Sequence, residues 1–102
     1  MKKKRLAIIS SYNESCGNAS YAHVLKMRFS EQVDCDVIPL DLFLLQKESS
    51  QFSKAGDRHI RSIAARLADY DYVNIQLEAG LYGVTNRQVL RRLRILLQAC
   101  RS

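Results

Sequence analysis

Apolar residues fall in short blocks along this chain, and the spacing changes from block to block. Leu6 to Ile9 form a continuous run between a basic N-terminus and the polar stretch SSYNES, the pattern of a strand buried on both faces of a parallel sheet. Ala19 to Phe29 then reads as a helix, with Asn18 as its N-cap and Ala22, Leu25 and Phe29 on one face. A second strand is predicted over Asp36 to Leu40, where Pro39 cannot donate to a ladder and so belongs at a strand end or edge. Phe43 to Ser53 reads either as loop or as a short helical turn. Asp57 looks like the N-cap of a further helix whose Ile60, Ile63, Ala64 and Leu67 keep the i, i+3, i+4, i+7 spacing of a buried stripe. A third strand follows over Tyr72 to Gln76. Thr85 and Gln88 occupy the positions of a capping box ahead of a helix with Val89, Leu93, Leu96 and Cys100 on one side and arginines on much of the other. The predicted order is β-α-β-α-β-α, which argues for an α/β fold with an open parallel sheet.

Composition narrows the class. A chain of 102 residues with 47% hydrophobic and 25% charged residues suits a single globular domain with one core. The formal charge of +6 is concentrated in Lys2, Lys3, Lys4 and Arg5 at one end and in Arg87, Arg91, Arg92, Arg94 and Arg101 at the other. Such clusters suit anionic membrane surfaces, phosphorylated ligands or nucleic acid. Nucleic acid is the least favoured, because no exposed aromatics interleave with the cations and no recognition motif is present. Cys16, Cys35 and Cys100 are odd in number and unpaired in spacing, so reduced thiols are expected and no metal site is. His23 and His59 lack partners at metal-ligand spacing and read as structural. No apolar run approaches the roughly 18 residues of a membrane span. The expected location is cytoplasmic, at most peripheral to a membrane.

Two loops can carry chemistry, because ligands of open α/β sheets collect beyond the carboxyl ends of the strands. In SSYNESCGNAS, Gly17 lets the backbone approach a ligand, and the following helix N-terminus offers free N–H groups to an anion. The residues at stake are Gly17, Asn18 and Ser20, as phosphate or sugar contacts or as an ordinary capped connection. In VNIQLEAGLYG, Glu78 stands just past a buried strand, and Gly80 and Gly83 permit a tight backbone path, including one with positive φ. Glu78 there can orient hydroxyl groups, or it can be a solvated turn residue. No dinucleotide or Walker fingerprint is present, so spacing alone names no nucleotide and no cofactor.

Together, RLAIISSYNESCGNASYAHVLKMRF and LADYDYVNIQLEAGLYG resemble the N-terminal, acceptor-side Rossmann-like domain of retaining GT-B fold glycosyltransferases. Gln76, Glu78 and Gly80 match the third-strand segment of that family, with Gly83 after an aromatic. Leu77 departs from it, standing where the family often has histidine. The resemblance implies that Gly17, Asn18, Glu78 and Gly80 face an interdomain cleft. It also implies that residues 1–102 form one partial, GT-B type half-domain, with the nucleotide-sugar domain and its carboxylates missing.

The expected function is therefore a fragment or subunit of a glycosyltransferase, inactive alone, that handles nucleotide sugar and glycan or other acceptor only together with a C-terminal half. Homo-oligomerisation, or pairing with that half, is expected to cover an open sheet edge. The alternative is a non-catalytic α/β interaction module whose basic C-terminal helix binds an acidic protein or lipid surface.

Overall fold

The computed structural model describes residues 4–10, 17–29, 32–47, 49–76 and 79–100. Three strands, β1 (Arg5–Ser10), β2 (Asp34–Pro39) and β3 (Tyr72–Ile75), form an open, wholly parallel sheet in the order β2-β1-β3. In register, Ile9 lies between Ile38 and Ile75, and Ala7 between Asp36 and Val73. The strands alternate with α1 (Gly17–Phe29), α2 (Leu42–Leu45), α3 (Ser50–Arg66) and α4 (Asn86–Ala99). The mixed α/β class with a parallel sheet is as the alternation predicts.

The central strand explains its own sequence. Ala7, Ile8, Ile9 and Ser10 are all fully buried, because β1 is paired on both edges and covered on both faces. α1 lies against β1 and β2 on one face. On the other, Ala7, Ile9 and Ile38 join Ile60 and Ile63 of α3 and Val89 and Leu96 of α4 in one apolar cluster. Completely burying one such aliphatic side chain contributes about 1.5–3 kcal/mol. Pro39 ends β2, as expected of a residue that cannot donate to the ladder.

Four local expectations are corrected. Asn18 is not a cap, since α1 begins at Gly17 and Asn18 lies within its first turn. Asp57 is not a cap either. α3 begins seven residues earlier, its N-cap is Ser49, and the Ser49 side chain accepts from the Phe52 amide. The ambiguous segment thus divides into α2, capped by Asp41, and the first turn of α3. Cys100 does not join the buried side of α4 but is exposed at its C-cap. Lastly, Arg92 is not on a solvent face, because its side chain is entirely buried.

The predicted capping box is present in full. Thr85 Oγ1 accepts from the Gln88 amide at 3.2 Å, and Gln88 Oε1 accepts from the Thr85 amide at 3.3 Å. At the amino edge of the sheet Arg5 is also structural. Its guanidinium lies 4.5 Å from the Tyr70 ring centroid and reaches Asp36 at 3.4 Å, while the Tyr70 hydroxyl donates to the same carboxylate at 2.9 Å. Burial, then the bond to Asp36, pushes the Tyr70 hydroxyl pKa up. One member of the basic N-terminal cluster is therefore engaged by the fold rather than free for a partner.

Candidate functional site

The chain leaves β1 for β2 on one side and returns to β3 on the other, so the strand order switches between β1 and β3. In open α/β sheets the crevice beyond the carboxyl ends at such a switch is the usual ligand position. Here the two ends are tied together, since the Gln76 amide donates to the Ile9 carbonyl at 3.1 Å. On the far side of β1, the Leu40 amide donates to Ser10 O at 3.0 Å. Fully buried Ser10 is thus the last residue of the floor.

The sequence-predicted site residues distribute unevenly around this switch. Gly17, Asn18 and Ser20 all stand in the first turn of α1, the helix that follows β1. Gly80 lies in the 3-10 turn Ala79–Leu81 that follows β3, and is exposed, with no neighbour among the described residues within 4 Å of where a Cβ would project. Glu78 and Leu77 lie outside the described residues, as does Cys16. Neither Gly80 nor Gly83 lies in the left-handed φ range between +20° and +160°. Gly83 is there for space, because a Cβ on it would lie 2.8 Å from Gln88 Cβ and 3.2 Å from Arg92 Nη1.

What the sequence reading missed is the apparatus that fixes the β3 loop. Tyr82 is fully buried, and its hydroxyl donates to the Gln76 carbonyl at 2.6 Å, closing the loop on itself. Burial pushes the Tyr82 hydroxyl pKa up, so it remains a donor throughout the physiological range. Gln46 Nε2 donates to the Gly80 carbonyl at 2.7 Å, tying the tip of the loop to α2. Gln76 is itself buried, and its side-chain Nε2 donates to Asn74 Oδ1.

Beneath the loop lies Arg92. Its Nη1 donates to the carbonyls of Tyr82 at 2.7 Å and Leu45 at 3.1 Å, its Nη2 to Ser53 O at 3.1 Å, and its Nε to Asp57 Oδ1 at 2.9 Å. One planar guanidinium thereby joins α2, α3, α4 and the β3 loop, using the fork of donors that lysine lacks. Gly56 makes the room, since a Cβ there would lie 2.6 Å from Arg92 Nη2. Gln88 runs alongside, with Oε1 accepting from the Val84 amide at 2.8 Å and Nε2 donating to Ser53 Oγ at 3.1 Å. A sequence signal for Arg92 did exist. It stands three residues after Val89 and four before Leu96, on the buried stripe itself.

His59 has a comparable duty near the end of β2, where its Nε2 accepts from the Asp41 amide at 2.9 Å. Desolvation lowers its pKa; the Asp41 charge opposes that shift and the Arg92 charge adds to it. With its lone pair occupied, Nε2 is an anchor for the start of α2 rather than a free base. Among the described residues no group of three potential metal ligands occurs, and no helix is long and apolar enough to cross a membrane.

The site is therefore a braced pair of strand ends, with the turn carrying Gly80 presented to solvent on a rigid support. No protein-family model, curated protein or solved structure matches the chain.

Proposed function

We propose that the chain is the acceptor-side half of a sugar-transferring enzyme, a Rossmann-like unit of GT-B type that is inactive by itself. The observation that carries this reading is the topological switch between β1 and β3, from which the loops leading to Gly17 and Gly80 both depart. The resemblance of SSYNESCGNAS and VNIQLEAGLYG to the cleft-facing loops of retaining glycosyltransferases supports it from the sequence side.

In this reading, the N–H groups opening α1 meet phosphate or sugar oxygens. Glu78 orients an acceptor hydroxyl, and the open space over Gly80 admits a sugar ring against the backbone. Transfer needs the donor held in register with the acceptor, and one α/β unit supplies only one wall of such a cleft. The nucleotide sugar is consequently bound and turned over only when a second half closes the site.

Saturation-transfer NMR of the purified chain with simple oligosaccharides and with nucleotide sugars tests this. The expected result is saturation transfer to an oligosaccharide that Gly80→Val removes without changing the melting temperature, together with no turnover of any nucleotide sugar. Absence of transfer to every sugar would sink the binding reading. Catalytic turnover by the chain alone would sink the half-site reading.

A further inference from the structure

We infer that the outward face of α4 is a docking site for an acidic amphipathic helix of a partner protein. At 3.6 residues per turn, Leu90, Leu93 and Leu97 fall within an arc of about 60°, and Arg94, Arg87 and Arg91 fill the neighbouring arc of about 60°. Leu90 is 65% exposed and Leu97 56%, large values for leucines on a helix that also supplies core residues. With Leu93, Arg94 and Gln98 they line an apolar recess of about 470 Å³. A second recess of about 580 Å³ adjoins it, sharing Leu90, Arg94 and Gln98, and is lined by Arg61 of α3 with Arg87 and Arg91. The surface therefore has two parallel lanes, one of leucine and one of arginine.

Charge decides what fits. Besides the buried Arg92, α3 and α4 carry Lys54, Arg58, Arg61, Arg66, Arg87, Arg91 and Arg94, against a single acid, Asp57. That acid is already taken, by Arg92 at 2.9 Å and Arg91 at 3.1 Å. A second copy of the chain would set two such cationic faces against each other, which is repulsive. A lipid surface suits a helix that lies flat with its apolar face down and Lys/Arg spread over the opposite, polar face. On α4 the cations lie on one flank of the leucines only, toward α3 and Arg61. A helix with leucines at i, i+3 and i+7 and carboxylates on the adjacent row matches both lanes at once.

The probe is a fluorescein-labelled helical peptide of about 20 residues with that leucine and glutamate pattern, long enough to hold helical structure. Its control has the same composition in an order that breaks the apolar row. Anisotropy titrations of the intact chain are expected to favour the patterned peptide by at least ~10-fold, with affinity falling as salt rises. Leu90→Ser with Leu97→Ser, and separately Arg87→Glu with Arg94→Glu, each weaken binding by ~10-fold or more while the melting temperature holds, because these side chains are solvent-facing.

Equal binding of both peptides, or indifference to the leucine substitutions, overturns the inference. So does cosedimentation with phosphatidylglycerol vesicles that the leucine substitutions abolish while the patterned peptide fails to bind, which assigns the face to lipid. A dimer in sedimentation velocity that the same substitutions dissociate overturns it in favour of self-association.

Discussion

Arg92 Nε donates to Asp57 Oδ1 at 2.9 Å across the seam between α4 and α3, with the arginine side chain wholly enclosed. The pair carries more than its own attraction, because the other guanidinium nitrogens satisfy three backbone carbonyls, one each from α2, α3 and the β3 loop. Removing one partner of a buried pair strands the other, a loss of about 3–5 kcal/mol in comparable sites. Arg92→Ala is therefore expected to approach the whole stability of a small domain, which is about 5–15 kcal/mol. Asp57→Asn keeps the acceptor oxygen but loses the charge, and should cost about 1–3 kcal/mol. Arg92→Lys should not rescue, since an ammonium cannot span the four acceptors. Urea denaturation of the three variants checks the order; equal stability of Arg92→Lys and the parent chain would refute the bracing role.

The two glycines of the β3 loop should respond oppositely to the same change. Gly83→Ala puts a methyl group 2.8 Å from Gln88 Cβ, in a place closed by the capping box and Arg92, and overpacking of this kind costs about 1–3 kcal/mol. Gly80→Ala meets nothing among the described residues and sits outside the left-handed φ range, so reduced freedom of the unfolded chain should leave stability unchanged or raised by up to about 1 kcal/mol. Thermal melts of both variants decide. If Gly80→Ala were the more damaging, the assignment of Gly83 to the scaffold and Gly80 to the exposed site would be reversed.

Much of this architecture is legible in the sequence, for reasons that differ by element. β1 reads as LAII because a central parallel strand is apolar on both faces, and the capping box is legible because its two residues act on each other locally. Asp57 misleads because an acid seven residues inside a helix looks like a cap when its true partner lies 35 positions downstream. Arg92 misleads because arginine is seldom buried, although its neighbours Val89 and Leu96 place it on the inner stripe. The candidate site is legible only as two loops. Its rigidity comes from tertiary bonds between Gln46 and Gly80 and between Tyr82 and Gln76, which no local pattern announces.

Tyr82 offers a way to loosen the β3 loop without emptying the core. Tyr82→Phe keeps the ring and removes the hydroxyl that donates to the Gln76 carbonyl, leaving that carbonyl short of a partner. The expected loss is about 1–2 kcal/mol. Amide hydrogen exchange should speed up for residues 79–84 more than for α1, since the lost bond belongs to this loop. Uniform acceleration over the whole chain would show that the hydroxyl supports global stability and not the loop.

His59 predicts a pH dependence with a definite sign. Its Nε2 accepts from the Asp41 amide, so the folded chain favours the neutral ring, and burial lowers its pKa below the ordinary value of 6.5. In the unfolded chain the ring protonates near 6.5, so the unfolded state binds more protons between the two values. This contribution is fully present above about pH 6.5 and is lost as pH falls from there toward the depressed folded value. Protonation also turns the acceptor into a donor facing the Asp41 N–H, which breaks the tether at the start of α2. His59→Gln retains an acceptor without a titration. Melting temperatures of the parent chain should drop between pH 7.5 and pH 5 by more than those of His59→Gln. Parallel curves for the parent and His59→Gln would remove His59 as the source of acid sensitivity.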